Sequence, residues 1–167
     1  FSAGGLVTTA IRNTLIGGIS GDALTTGARN TTLGYATLSS DTLGSRTVAI
    51  GYEALGSQNF TTATNAYNVA VGYSAGNVVT TGIQNTIIGA LAGDALTDAD
   101  GNVAVGFGAL TTNQLGSKSV AIGRDALSSQ NPDSATDMYN IAIGEDAGHL
   151  VTTGVQNTIV GALAGDA

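Results

Sequence analysis

An all-β fold, a parallel β-solenoid (β-roll) wound from coils of 17 residues, is predicted by three observations. A five-residue phrase ending in Gly runs through the whole chain: "NVAVG" at Asn68 and Asn102, "SVAIG" at Ser119, "NIAIG" at Asn140, "NTIIG" at Asn85. The closing residues Gly17, Gly34, Gly51, Gly72, Gly89, Gly106, Gly123, Gly144 and Gly161 are 17 residues apart except for two steps of 21. Each phrase is rich in β-branched residues and is followed by Gly, Asn, Asp, Ser and Thr, the pattern of a short strand and its turns. Helices are disfavoured, because the 25 Gly recur throughout and each one inside a helix costs about 1 kcal/mol relative to Ala. A coil this short cannot bury an apolar side alone. Stacking successive coils in parallel register, about 4.8 Å apart, supplies the core.

Taken in order, residues 1–12 read as a partial coil, since "FSAGGLVTTAIR" aligns with "YSAGNVVTTGIQ" from Tyr73. Residues 13–84 form a first block of four coils and residues 85–156 a second, with about half the positions identical between the two 72-residue blocks. Residues 157–167 are again a partial coil, where "NTIVGALAGDA" stops and the earlier "NTIIGALAGDA" runs on. All of it is expected to be one continuous solenoid, a window on a longer repetitive protein. The third coil of each block is the 21-residue one, its extra length lying around "SQNFTTATNAY" and "SQNPDSATDMY".

Stacked coils turn sequence columns into files of touching side chains. The first column, Asn13, Asn30, Thr47, Asn68, Asn85, Asn102, Ser119, Asn140 and Asn157, is expected to be a hydrogen-bonded ladder, with amides bonding the coils above and below. The fourth column, Ile16, Leu33, Ile50, Val71, Ile88, Val105, Ile122, Ile143 and Val160, is always a large aliphatic and is assigned to the core, so that Ile88→Ala or Ile122→Ala would cost roughly 2–5 kcal/mol. The fifth column is always Gly, as a turn with positive φ or a close backbone approach requires. The column before the Asn, including Arg12, Arg29 and Arg46, is expected to face solvent or an acidic partner. Insertions in solenoids form protruding loops, frequently on a binding face, which makes Asn59, Phe60, Thr61, Asn131, Pro132 and Asp133 the candidate contact residues. Two glycosylation sequons occur, "NTT" at Asn30 and "NFT" at Asn59, and the ladder position of Asn30 removes it from consideration.

Composition narrows the function. A net charge of −7, a pI near 4.1 and five basic residues argue against nucleic acid as a partner, which needs clustered Lys and Arg. No apolar run reaches the roughly 18–20 residues of a membrane-spanning helix, so no membrane insertion is expected in this segment. With no Cys, neither disulfides nor thiolate metal sites are available.

The phrases "NVAVG", "SVAIG" and "NIAIG", each followed by "xxA", resemble the head repeats of YadA-like trimeric autotransporter adhesins, and "NTLIG", "NTTLG" and "NTIIG" are similar to repeats of phage tail fibres. That resemblance covers nearly the whole chain, although the coil here is longer than is usual in the family. It implies a left-handed parallel β-roll, three chains side by side, and a receptor-binding or spacer rod outside the cell or on a virion surface. The matched positions are structural ones, so it carries over no binding residues.

The chain offers little to catalysis. His149 is its only His and stands where the first block has Asn77, so neither a multi-His metal site nor a His-based triad is expected; no metal, no cofactor and no enzymatic activity are assigned. "GSKS" at Gly116 and "GFGALT" at Gly106 lack the spacing of phosphate and dinucleotide loops, and "GGISGD" at Gly17 lacks that of a calcium repeat. Asp22, Asp94 and Asp166 share a column four coils apart, too far to share an ion. The Thr pairs at Thr25, Thr80 and Thr152 are too interrupted for an ice-binding file. The expected function is therefore a structural or adhesive rod segment of an extracellular fibre, a homotrimer that contacts a cell-surface receptor or glycan. The alternative is a subunit of a self-assembling filament or tube, joined laterally or end to end.

Overall fold

A computed structural model describes residues 2–166, and these form a β-solenoid of about nine turns with no helix among them. Nine three-residue strands make one parallel sheet: β1 (Thr14–Ile16), β2 (Thr31–Leu33), β4 (Val48–Ile50), β6 (Val69–Val71), β7 (Thr86–Ile88), β8 (Val103–Val105), β10 (Val120–Ile122), β12 (Ile141–Ile143) and β13 (Thr158–Val160), in that spatial order. The register pairs equivalent letters, Thr14 with Thr31, Ala49 with Ala70, and Ile122 with Ile143 across a 21-residue step. Each 21-residue coil also adds a two-residue strand that pairs with the coil before it. These pairs are β3 (Gly44–Ser45) with β5 (Thr64–Asn65), and β9 (Gly116–Ser117) with β11 (Thr136–Asp137).

Beyond the strands, backbone bonds between coils continue round the turns, as in Gly34 N–H to Ile16 O (2.8 Å), Gly51 N–H to Leu33 O (2.8 Å) and Glu53 N–H to Tyr35 O (2.9 Å). The Gly column permits this approach. Gly17, Gly34, Gly51 and their equivalents have φ between 127° and 144°. A Cβ on Gly17 would fall on the carbonyl oxygen of Gly34, and a Cβ on Gly34 on that of Gly51. The sequence requirement for Gly here is thus both conformational and steric.

The core lies on the opposite side of the strands from the one predicted. The third column is inside: Ala49, Ala70, Ile87, Ala104, Ala121 and Ala142 have no exposed surface. The fourth column points outward, with Ile16 54%, Leu33 47%, Ile88 40%, Ile122 37%, Ile143 39% and Val160 65% exposed, and Ile50, Val71 and Val105 half-buried. The reason is the period of two along a strand. The Asn and Gly of each phrase must reach the interior and the neighbouring coil, so the residue between them in parity, the third, shares their side. The second and fourth, however large, take the other.

The interior is narrow: small residues fill most of it, a large aliphatic is supplied from the turns, and in some coils the strand adds a second, as Ile87 does in the coil of Leu96. Ala54, Ala75, Ala92, Ala109, Ala126 and Ala147 face the strand alanines. The large residue comes from one of two places three positions apart. In some coils it is Leu38, Leu55, Leu110 or Leu127, and the residue three later is polar: Asp41, Gln58, Asn113 or Gln130. In others the first position is Gly and the later one aliphatic, as in Gly21 with Leu24, Gly76 with Val79 and Gly93 with Leu96. The exchange is steric. A Cβ on Gly93 would lie 2.7 Å from Leu96 Cδ1, and one on Gly76 would lie 2.8 Å from Ile87 Cδ1. The Leu form holds a left-handed backbone, φ 50° at Leu38 and 52° at Leu55, a strain of roughly 1–2 kcal/mol offset by burial of the side chain.

Neighbouring residues of β7 give the test. Ile87→Ala should cost about 2–5 kcal/mol, read as a lowered urea midpoint, whereas Ile88→Ala in the monomeric chain should change stability by about 0.5 kcal/mol. Equal losses would place the aliphatic core on the outer face.

Candidate functional site

The ladder is built from amide-to-backbone clamps. Asn30 is fully buried; its Oδ1 accepts the Thr47 N–H of the next coil (2.9 Å) and its Nδ2 donates to Gly44 O (2.9 Å) across its own coil. Asn85 repeats both bonds with the Asn102 N–H (2.9 Å) and Ala99 O (2.8 Å), and Asn102 with the Ser119 N–H (2.9 Å) and Gly116 O (3.0 Å). The expected amide ladder is therefore chiefly a ladder of amides on backbone; between members of the Asn column, among the described residues, the one amide-to-amide bond is Asn157 Nδ2 to Asn140 Oδ1 (3.1 Å).

At Thr47 and Ser119 the side chain is too short to clamp, and a buried Gln from the same 21-residue coil fills the gap. Gln58 Nε2 donates to Thr47 Oγ1 (3.2 Å) and to Asp41 Oδ2 (2.7 Å), while its Oε1 accepts Asn68 Nδ2 (2.8 Å). Gln130 holds Ser119 Oγ (3.1 Å) and Asn140 Nδ2 (2.8 Å) in the same way. Sequence reasoning passed over these residues, although their pairing with the two exceptions in the Asn column was the available signal. Asp41 carries the one internal charge of this network. Burial pushes its carboxyl above the ordinary 3.8, against the hydrogen bonds from Gln58, Gly44 and Phe60 that hold it down. In the second block the same place is taken by Asn113, which bonds to the N–H (2.9 Å) and O (2.7 Å) of Gly116.

The insertion loops only partly fulfil their assignment as contact residues. Phe60 is 5% exposed, its N–H donating to Asp41 Oδ1 (3.3 Å), and Pro132 is buried. The Phe60 N–H ties the root of its loop to the buried network at Asp41, and neither apolar side chain is available at the surface. Asn59, Thr61 and Asp133 are exposed and Asn131 is half-buried, with Asn131 Oδ1 accepting the Gln114 N–H (3.2 Å). The exposed tips are residues 61–63 and 133–135.

Other chemistry is sparse. Arg12 and Arg29 are exposed, and Arg46 lies over the Tyr67 ring (5.5 Å to its centroid) and donates to its hydroxyl (3.2 Å). The equivalent Lys118 lies over Tyr139 and pairs with Asp137 at 2.6 Å, which raises the Lys118 ammonium and lowers the Asp137 carboxyl. Arg124 is paired with Glu145 and with Asp125 (2.9 Å). His149 Nδ1 meets both Ser128 Oγ (2.8 Å) and, more distantly, Asp146 Oδ1 (3.8 Å). A relay from carboxylate to hydroxyl needs the two ring nitrogens separately, so these three residues do not form one. Among the described residues no three His, Cys, Asp or Glu side chains are placed to hold a metal ion, and no helix is long and apolar enough to cross a membrane.

Two surfaces remain. One is the outer face of the nine-strand sheet, lined by the fourth column and by Thr14, Thr31, Val48, Val69, Thr86, Val103, Val120, Ile141 and Thr158 of the second. The other lies just past the Gly column in the first block. There Tyr35, Tyr52 and Tyr73 stack at centroid distances of 5.5 and 5.4 Å beside a groove of about 390 Å³ lined by Ile19, Tyr35, Ala36, Ser39, Tyr52, Glu53, Gly56, Ser57 and Asn77. A hydrogen bond to the neighbouring Glu53 pushes the Tyr52 phenol above its ordinary 10.0. Comparison with protein-family models, curated proteins and solved structures finds no match to this chain.

The buried carboxyl sets a pH dependence. A folded-state value raised above 3.8 means that the contribution of Asp41 to stability is complete below about pH 3.8 and is lost as pH rises through the raised value. Asp41→Asn should therefore raise the thermal midpoint at pH 7 and leave it little changed near pH 3.5, so that the difference between variant and parent grows with pH. A difference that is constant or shrinks with pH would contradict this.

Proposed function

We propose that the chain is a structural and adhesive rod segment of an extracellular or virion-surface fibre, without catalytic activity, that packs against further copies of itself through the outer face of the sheet. The observation that carries this reading is the fourth column. Nine successive coils present Ile, Leu or Val to solvent, six of them between 37% and 65% exposed, beside a second column of Thr, Val and Ile. Isolated exposed aliphatics are ordinary on a protein surface, but a contiguous strip running the length of the molecule marks an interaction surface.

The geometry of the strip favours a second copy as its occupant. Its ridges repeat at one coil spacing, about 4.8 Å, along an in-register parallel sheet, and another copy of the chain offers ridges of the same spacing and chemistry. The resemblance of the "NVAVG" and "NTIIG" phrases to adhesin heads and tail fibres supports three chains about a common axis. In that arrangement the stacked backbone bonds resist shear and proteolysis, and the rod projects whatever contact surfaces it carries toward a cell-surface receptor.

Native mass spectrometry with sedimentation velocity tests the reading. A discrete trimer supports the fibre, an open-ended polymer replaces it with the self-assembling filament, and a strict monomer at high concentration overturns both. Ile88→Lys with Ile122→Lys, two outward charges in mid-sheet, should weaken association by at least about tenfold while leaving the circular dichroism spectrum unchanged.

A further inference from the structure

We propose that the groove beside the tyrosine file of the first block binds a short neutral oligosaccharide. The inference goes beyond the rod reading and holds whether or not the sheet face is covered, because the groove lies past the Gly column, round the turn from the strands.

The groove combines the two chemistries that a sugar ring presents. Its aromatic lining is Tyr35 and Tyr52, each 44% exposed. The stacked partners cover each other's inner faces, but the residue before Tyr35 in this column is Gly18, so no side chain of that file covers the outer face of the Tyr35 ring. That face suits the apolar C–H side of a pyranose. Its polar lining is Ser39, Ser57 and Asn77 with Glu53. Asn77 Nδ2 donates to Glu53 Oε2 (3.1 Å), which fixes the amide so that its Oδ1 is free to accept; neither that oxygen nor Ser57 Oγ has a partner among the described residues. From the coil of Ile19 to the coil of Asn77 the groove spans three coil spacings, roughly 14 Å. No basic side chain lines it, and its one charge is a carboxylate, which disfavours sulfated, phosphorylated and sialylated ligands.

The second block acts as an internal control. Its strands, Gly column and Asn clamps repeat those of the first, yet Phe107, Arg124, Asp125 and His149 stand at the places of Tyr35, Tyr52, Glu53 and Asn77. There Arg124 is tied up with Glu145 and Asp125, and His149 with Ser128. The same coils therefore form without a tyrosine file, and stacking alone does not account for its presence.

The test titrates the whole chain with cellotetraose, maltotetraose and chitotetraose, with sialyllactose as an anionic comparison. Binding is followed by saturation-transfer NMR and by shifts of the tyrosine ring protons, with the particle mass measured on the same samples. At least one neutral tetrasaccharide should bind and perturb Tyr35 and Tyr52. Tyr52→Arg, which imports the second block's own residue, should weaken it at least tenfold with mass and circular dichroism unchanged, whereas Phe107→Ala should leave binding as it was. Failure of all three neutral sugars, binding of sialyllactose alone, or binding that survives Tyr52→Arg would each overturn the proposal, and a change in mass without loss of sugar binding would bear on the rod reading instead.

Discussion

The buried Asn clamp is the interaction on which the rest of the structure depends. With one side chain it closes a coil and joins it to the next: the amide oxygen takes an N–H from the following coil and the amide nitrogen donates to a carbonyl 14 residues on in its own coil, as at Asn30, Asn85 and Asn102. A three-residue strand has too few ladder bonds to fix its register against a slip of one residue. The clamp supplies that register, because a slipped coil would leave a buried amide without partners, at about 1–3 kcal/mol for each lost group. The Gly column does the complementary work: the clamp pulls the backbones together, and the missing Cβ lets them arrive.

Where the clamp is interrupted, its bonds are supplied from elsewhere, which shows how strict the requirement is. Thr47 and Ser119 occur only in the 21-residue coils, and those coils alone carry Gln58 and Gln130 in the interior. The extra residues of these coils therefore do more than add a loop. They accompany an exchange in which a short hydroxyl and a long amide from opposite sides of the coil replace one Asn. Coils one and two keep their Asn clamps, and the hydroxyls of Ser20, Thr32 and Thr37 in their core satisfy one another, at 2.6 and 2.9 Å.

The period, the parallel register, the Gly contacts and the inward Asn were legible because each is a property of a column, and a column repeats nine times. The side on which the core lies was not. A phrase such as "NVAVG" offers two large aliphatics and one Ala, and the usual preference for burying the larger side chain points to Val71 rather than Ala70. Parity decides otherwise, since Asn68, Ala70 and Gly72 share a side once the Asn is known to point inward. The narrow cross-section then explains why Ala is adequate in most coils: the large residue arrives from the turn, as Leu38 or Leu55, and a large strand residue such as Leu15 or Ile87 occurs where the turn carries Gly, at Gly21 and Gly93. The exchange of Leu-to-polar with Gly-to-aliphatic three positions apart is visible in the sequence once the columns are aligned. Phe60 and Pro132 misled for a related reason, since divergence between two loops marks tolerance of change without saying whether the side chain faces in or out.

In a solenoid each coil touches only its neighbours, so letters that do not serve the clamp, the Gly contact or the core are free to drift between copies. The column just past the Gly shows such drift, reading Gly18, Tyr35, Tyr52 and Tyr73 in one block and Ala90, Phe107, Arg124 and Glu145 in the next. The fourth column does not, although its side chains are as exposed: it is Ile, Leu or Val on every coil. Strand propensity accounts for β-branched residues there but would equally accept Thr or Tyr, and solubility would favour them. A surface that remains aliphatic at all nine levels while its neighbour across the Gly accommodates Tyr, Arg and Glu is what the proposed packing of that face against a further copy would require.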